Sequence, residues 1–187
     1  MAEPRMLQVI YRSRSIIAAP LQDMEVRAIV SASERNNKNN NITGFLLFDQ
    51  QWFVQVLEGD EEAIRATYEK IRRDARHTDL TVLSEREVRA RAFPEWSMGA
   101  AIRSAQNADV FDRHGIDGSV APESLTCPAI VALAMDLQDH HRMRRLGVAS
   151  LAAGPLPNHH RAGIEALIAR DEPACGYRSR SPGALAP

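Results

Sequence analysis

The chain has 187 residues, of which 44% are apolar and 25% are charged, the ordinary composition of a soluble globular protein. A formal net charge of −1 excludes the strongly basic balance typical of nucleic-acid binding or of docking to an anionic membrane. The N-terminus becomes polar too early for a signal peptide, and no apolar run approaches membrane-spanning length, so we expect a cytoplasmic protein.

Aromatic residues divide the chain into two parts. Of the 5 Phe, 2 Trp and 3 Tyr, all but Phe111 and Tyr177 lie between Tyr11 and Trp96. Because aromatic side chains contribute much of the area that a core buries, the main core should be formed by the first half of the chain. We therefore predict a domain at 1–103, a helical extension at 104–175 and a disordered tail at 176–187.

The first strand and the first helix come from the start of the chain. Met6–Tyr11 is a short apolar run suited to a buried strand, and Pro20 introduces a helix. Two stripes follow on that helix, an apolar one predicted to face the sheet and one that begins apolar and ends polar: Leu21, Met24, Ala28, Ala32; and Val26, Val30, Ser33, Asn37. Either the polar end meets hydrogen-bonding groups, or Asn36 and Asn37 merely terminate the helix.

The stretch Asn41–Gly59 predicts a β-hairpin, because two apolar runs flank the polar tripeptide at 49–51. Gln55 stands inside the second run, between Val54 and Val56. Burying an amide without partners costs about 1–3 kcal/mol, so we expect a polar group opposite it.

The second helix and the last strands follow. Asp60 is a suitable N-cap for a helix that buries Ile64, Tyr68 and Ile71. A fourth strand begins at 80–83, and residues 93–99 lead to a fifth strand, where Trp96 and Met98 should share one face.

This order, β-α-β-β-α-β-β, predicts an α+β ferredoxin-like fold with two helices on one face of the sheet. Further helices should begin near Thr126-Cys127-Pro128 and Asn158. The apolar stripe at 130–137 could pack on the open face of the sheet or on another subunit.

Enzyme motifs are missing from the sequence. It contains no GxGxxG, P-loop, GxSxG or HExxH pattern, and its acidic residues form no convincing acid/base pair. The pairs His140-His141 and His159-His160 point to different helix faces, and the two cysteines fit no metal spacing. We expect neither catalysis nor a metal site.

Several segments, taken in order and spacing, closely resemble the BLUF family of flavin-binding blue-light sensors. They are VIYRS (9–13), SERNN (33–37), NITGFLLF (41–48), FVQVLEG (53–59), RRDARH (72–77) and FPEWSMG (93–99). The resemblance covers 7–101. It implies a non-covalent flavin, FAD most often, with FMN or riboflavin as alternatives.

The resemblance also implies roles for individual residues. Tyr11 would be the essential tyrosine, Gln55 the switching glutamine, and Trp96 and Met98 the pair near it on the last strand. Asn37, with Asn36 beside it, would bind the C4=O/N3 edge of the flavin. The further residues expected to contact the cofactor are Ile29, Ser33, Arg35, Ile71, Asp74, Arg76 and His77.

By the same resemblance, light would drive electron and proton transfer from Tyr11 and rearrange the hydrogen bonds of Gln55 at the flavin C4=O and N5. The signal would pass through Trp96, Met98 and strand five to the C-terminal helices. The remaining sequence is too short for a cyclase or phosphodiesterase domain, so output should need a partner protein or a homo-oligomer.

Two other classes share the ferredoxin-like topology. An acylphosphatase-like enzyme would need a glycine-containing phosphate loop after strand one, which RSRSIIAAP lacks. An RNA-binding module would expose aromatics on its central strands and carry a basic balance. A reversible red shift of flavin absorption under blue light separates the photoreceptor from both.

Overall fold

A computed structural model describes residues 6–116, 120 and 125–145. Its strands are β1 (Met6–Ser15), β2 (Thr43–Phe48), β3 (Trp52–Gly59), β4 (His77–Val88) and β5 (Gly99–Ile102). Its α-helices are α1 (Gln22–Asn39), α2 (Glu61–Arg72), α3 (Ala108–Arg113) and α4 (Cys127–Arg145).

The five strands form one sheet in the order β4-β1-β3-β2-β5. Neighbouring strands run antiparallel except β2 and β5, which are parallel. In each βαβ unit the two parallel strands are separated by one other strand. Strand β3 lies between β1 and β2, and β1 lies between β3 and β4, which is the ferredoxin-like arrangement. The predicted fold class is confirmed.

Side chains alternate between the two faces of the sheet, as strand geometry requires. In β1, Val9 and Tyr11 join a cluster beneath α1 and α2, whereas Ile10 joins a cluster with α3 and α4. We call these the helical-pair face and the C-terminal face. The stripe on α4 packs on the C-terminal face, so the structure decides between the two packings that the sequence left open.

The turns and caps follow the sequence signals. At the hairpin turn, Asp49 Oδ1 accepts hydrogen bonds from the backbone N–H groups of Gln51 and Trp52, at 3.2 and 2.8 Å. At the start of α2, Asp60 Oδ1 accepts from the N–H groups of Glu62 and Ala63, at 3.0 and 3.4 Å. The predicted hairpin and N-cap are confirmed.

The predicted buried stripe of the first helix is wrong. Leu21 and Met24 are 48% and 60% exposed, whereas Val26 and Asn37 are 1% and 2% exposed. Ala19–Leu21 forms a 3-10 turn, so the α-helix begins only at Gln22. The second stripe, which ends in polar side chains, therefore faces the sheet.

Strand β5 begins at Gly99, so the expectation that Trp96 and Met98 share one face of that strand is wrong. Met98 is 2% exposed and belongs to the helical-pair face. The Trp96 ring instead lies edge-on to His141 of α4, with ring centroids 6.4 Å apart. The backbone before the strand is held by other contacts, since Gly44 N–H donates to the Trp96 carbonyl at 3.1 Å, and this places the Trp96 and Met98 side chains on different sides.

Some predictions fall outside the described residues, namely the helix starting near Asn158 and the tail at 176–187. The domain boundary at 103 stays a prediction. None of the helices in the described ranges is long and apolar enough to cross a membrane. Within the same ranges, no three His, Cys, Asp or Glu side chains are grouped as metal ligands.

A polar cleft between the first two helices and the sheet

A cleft of about 160 Å³ opens between α1, α2 and the helical-pair face. Most residues that the resemblance singled out line it: Tyr11, Ile29, Ser33, Asn36, Gln55, Ile71, Asp74, Arg76 and His77. Arg35, Asn37, Trp96 and Met98 do not line it. The topology therefore gathers residues from three strands, two helices and the turn after α2 into one site.

Tyr11 and Gln55 form the inner wall of the cleft, and their hydrogen bonds continue behind the wall to Met98. Tyr11 of β1 lies directly across from Gln55 of β3, and its hydroxyl donates to Gln55 Oε1. Gln55 Nε2 donates in turn to Met98 Sδ at 3.4 Å. Gln55 is only 4% exposed, so the expected polar partner of this buried amide is a phenol, with a thioether on the other side.

Tyr11 is held as a neutral phenol. Burial raises its pKa far above the usual value, and the nearby Tyr68 and Asp74 raise it further. The Tyr68 ring meets the Tyr11 ring edge-on, with centroids 5.7 Å apart. Because an un-ionised phenol keeps its proton, Tyr11 acts as a donor toward Gln55.

Asn37 links α1 to the segment before β5. Its Nδ2 donates to the Ser97 carbonyl at 2.8 Å, and the side chain is buried. The helix continues to Asn39, so Asn37 does not terminate it. Asn36 lines the cleft, whereas its neighbour Arg35 is exposed and does not line it.

The outer end of the cleft is charged. Arg76 forms ion pairs with Asp74 at 2.5 Å and with Glu25 at 3.3 Å. The hydrogen bonds from Arg76 lower the pKa of the Asp74 carboxyl and keep it ionised. His77 Nε2 lies 2.8 Å from the Ile71 carbonyl, which directs the ring into the cleft wall.

Two buried polar atoms of the cleft lining have no hydrogen-bond partner among the described residues, Ser13 Oγ and His77 Nδ1. Buried polar groups are nearly always paired, so these two atoms fit a polar ligand in the cleft. Ile29 and Ile71 provide apolar walls on the two helices. Apolar walls with polar atoms at the edge suit a flat aromatic ring that carries carbonyls and a polar tail, as a flavin does.

Sequence reasoning missed five lining residues, Ser13, Ala32, Leu46, Phe53 and Lys70. The strand period of two could have found Ser13 and Phe53, each two residues from a predicted site residue on the same face. Leu46 pairs across the strands with Gln55, a register that only the structure provides.

Comparison with known proteins points to one family. The family model "BLUF: Sensors of blue-light using FAD" matches residues 6–99, half of the chain. The photoactivated adenylate cyclase subunit beta of Euglena longa is 39% identical over 83 residues, which are 44% of this chain and 10% of that protein. This chain thus spans about a tenth of the length of the cyclase subunits it matches.

Two further matches are of different kinds. The blue light- and temperature-regulated antirepressor BluF of Escherichia coli (strain K12) is 36% identical over 90 residues, covering 48% of this chain and 22% of that protein. The dark-state structure of BlrB, a BLUF protein, superposes with a TM-score of 0.56 at 29% identity. It covers 72% of this chain and 99% of its own.

Proposed function

The chain belongs to the BLUF family, and from that premise we propose that it is a blue-light photoreceptor whose residues 6–99 hold FAD non-covalently in the cleft. One observation carries the proposal. The amide of Gln55 is buried at the inner wall of the cleft, between the hydroxyl of Tyr11 and the sulfur of Met98.

The residues proposed to hold the cofactor differ in kind around the cleft. Ile29 and Ile71 flank the ring from the two helices, and Asn36 and Ser33 offer hydrogen bonds at one side. Asp74, Arg76 and His77 bind the polar tail or the ring edge. When bound, the flavin supplies blue-light absorption and an electron-accepting ring.

Tyr11 supplies the electron and the proton. A phenol that loses an electron becomes strongly acidic, and its hydrogen bond leads the proton to Gln55 Oε1. When the electron returns, the phenolate takes back one proton from Gln55. Tyr11 and Gln55 then carry the same number of protons as before, but the side-chain amide of Gln55 can be left rotated or as its tautomer.

This rearrangement changes hydrogen bonds rather than volume. A carboxamide has a donor end and an acceptor end of nearly equal size, so reversal presents the opposite group toward the flavin C4=O and N5. In a dry site each buried polar group must then find a new partner. The bond from Gln55 to Met98 would be the first to change.

The output route proposed here follows from that bond. Met98 is adjacent to β5, and the Trp96 ring touches α4 through His141. A change at Gln55 would therefore bias the packing of α4 on the sheet, as a local switch biases a two-state element. We further propose that the chain has no enzymatic turnover and acts on a partner protein or through a homo-oligomer.

The test is the absorption spectrum of the purified chain with FAD. Blue light should produce a reversible red shift, because an added hydrogen bond to the C4=O stabilises the excited flavin. Gln55→Leu should bind FAD and lose the shift. Gln8→Leu, which removes another buried amide from the C-terminal face, should keep it.

A full shift in Gln55→Leu would contradict the role of Gln55. A wild-type chain that binds no flavin would contradict the proposed function as a whole.

A further inference from the structure

The carboxylate of Glu58 is completely buried, at 0% exposure. It lies on β3 three residues after Gln55, so its side chain projects to the opposite, C-terminal face. Glu58 Oε1 accepts hydrogen bonds from Gln8 Nε2 at 2.7 Å and from the Ala92 N–H at 3.0 Å. Glu58 Oε2 accepts from the Phe93 N–H at 3.1 Å.

All three of these donors are uncharged. Burying a carboxylate is costly, and replacing a buried charge by a packed apolar side chain is often neutral or stabilising. An apolar side chain at Glu58, however, would leave two consecutive backbone N–H groups without partners. The Glu58 carboxylate thus accepts the hydrogen bonds of these two N–H groups, which an apolar side chain could not do, and fixes the backbone of a segment with no regular secondary structure.

That segment, 92–98, carries both Trp96 and Met98. Its first end is held by Glu58, and Arg91 reinforces it by donating to Thr43 Oγ1 and to the Glu58 carbonyl, both at 2.8 Å. The side chain of Phe93 strengthens this first end, since it is fully buried and stacks on Phe45 with centroids 5.8 Å apart.

Its second end is held by hydrogen bonds to the carbonyls of Trp96 and Ser97, from Gly44 N–H and Asn37 Nδ2 respectively. Met98 then reaches Gln55. Trp96 therefore lies between these two held points, and Met98 lies between the second of them and the start of β5.

We propose that Glu58 is a positioning residue of the photoswitch, which anchors the first end of the 92–98 segment and so sets how readily Met98 and Trp96 move. This inference rests on the proposed photoreceptor function. Glu58 does not touch the cleft and acts only through the backbone of Ala92 and Phe93. The hydrogen bonds of Glu58 continue through Gln8 to the edge strand of the sheet, since Arg86 of β4 donates to Gln8 at 2.9 Å.

The experiment compares the FAD-loaded wild-type chain with Glu58→Gln. A glutamine has the same shape but only one acceptor oxygen, so one of the two backbone N–H groups loses its partner. Hydrogen exchange at one of the two residues, Ala92 or Phe93, should become about tenfold faster, as expected for loss of a bond to a charged acceptor. The light-induced red shift should keep its size, and its dark recovery should also become about tenfold faster.

Two further variants make the result decisive. Arg91→Ala loosens the same end of the segment without touching a buried charge, and should accelerate recovery in the same direction but less. Asp60→Ala removes the N-cap of α2 and lowers stability without touching the segment, so its recovery rate should equal that of the wild type.

Unchanged recovery in both Glu58→Gln and Arg91→Ala, with a normal shift in the wild type, would overturn the anchor alone. If Glu58→Gln does not fold, Arg91→Ala decides by itself. A wild-type chain without a light-induced shift would overturn the photoreceptor proposal, and the anchor with it.

Discussion

The two faces of the sheet share one backbone but are packed in opposite ways. On the C-terminal face, the Phe45 and Phe93 rings stack, and Leu133 of α4 covers the strands at 1% exposure. On the helical-pair face, α1 and α2 leave a cleft whose lining includes the buried amide of Gln55 and the Ser13 hydroxyl, which has no partner among the described residues. The first face is filled by protein, and the second holds polar groups that suit a ligand.

Particular buried polar groups show the same contrast, although Arg103 Nη1, near Phe111 on the C-terminal face, also has no hydrogen-bond partner among the described residues. Glu58, on the C-terminal face, is surrounded by donors from the protein itself. Ser13 and His77, at the cleft, each keep a buried polar atom that the described residues do not satisfy. Stability and cofactor binding should therefore respond separately to substitutions on the two faces.

The largest expected effect comes from the filled face. Leu133→Ala should lower the free energy of unfolding by about 2–5 kcal/mol, because it leaves a cavity in a packed core, while FAD remains bound. Ile71→Ala, at the cleft wall, should weaken FAD binding and cost less stability, about 1 kcal/mol, because Ile71 is only partly buried. Urea denaturation measures stability and flavin titration measures FAD binding. Equal effects of both variants on both quantities would mean that the two faces do not have separate roles.

The next effect concerns pH. The pKa of Tyr11 is raised in the folded protein above the unfolded value of 10.0, so below that pH the phenol is protonated in both states. Above it the unfolded chain ionises first, and stability should fall by up to about 1.4 kcal/mol per pH unit. Tyr11→Phe should lack this component, which urea midpoints between pH 9 and pH 11, roughly one unit either side of the usual tyrosine pKa, would reveal. Parallel pH profiles for the two proteins would show that burial of Tyr11 does not shift its titration.

The smallest effect tests the difference between the two faces most directly, because one substitution should raise stability and weaken FAD binding. Ser13→Ala removes a buried hydroxyl that no described residue satisfies, so the flavin-free protein should gain about 1 kcal/mol of stability. The same variant should bind FAD more weakly, since the cleft loses a hydrogen-bonding group.

The matched control is Thr43→Val, at a largely buried hydroxyl on the C-terminal face that already accepts from Arg91. It should lose stability and leave FAD affinity unchanged. A destabilised Ser13→Ala protein with normal affinity would mean that the hydroxyl serves the fold rather than the ligand.

Much of the fold could be predicted, because the signals involved are local. The hairpin follows from two apolar runs around a polar turn, and the start of α2 follows from Asp60. The prediction for the buried face of α1 is wrong, because Leu21 lies in a 3-10 turn before the helix and Met24, within the helix, is on its exposed side. Spacing along a helix defines stripes, but it does not say which stripe meets the sheet.

The site shows the same division. From the residues alone, an amide at position 55 had to be buried and had to have a polar partner, because its neighbours are valines and unpaired buried amides are costly. Which groups it meets was decided by strand register and by the segment before β5, since Tyr11 and Met98 lie 44 and 43 residues away in sequence. The separation of Met98 from Trp96 also arose there, from hydrogen bonds that Gly44 and Asn37 make to the backbone between them. Local pattern determines what must be buried, whereas only the assembled sheet and helices determine what each buried group touches.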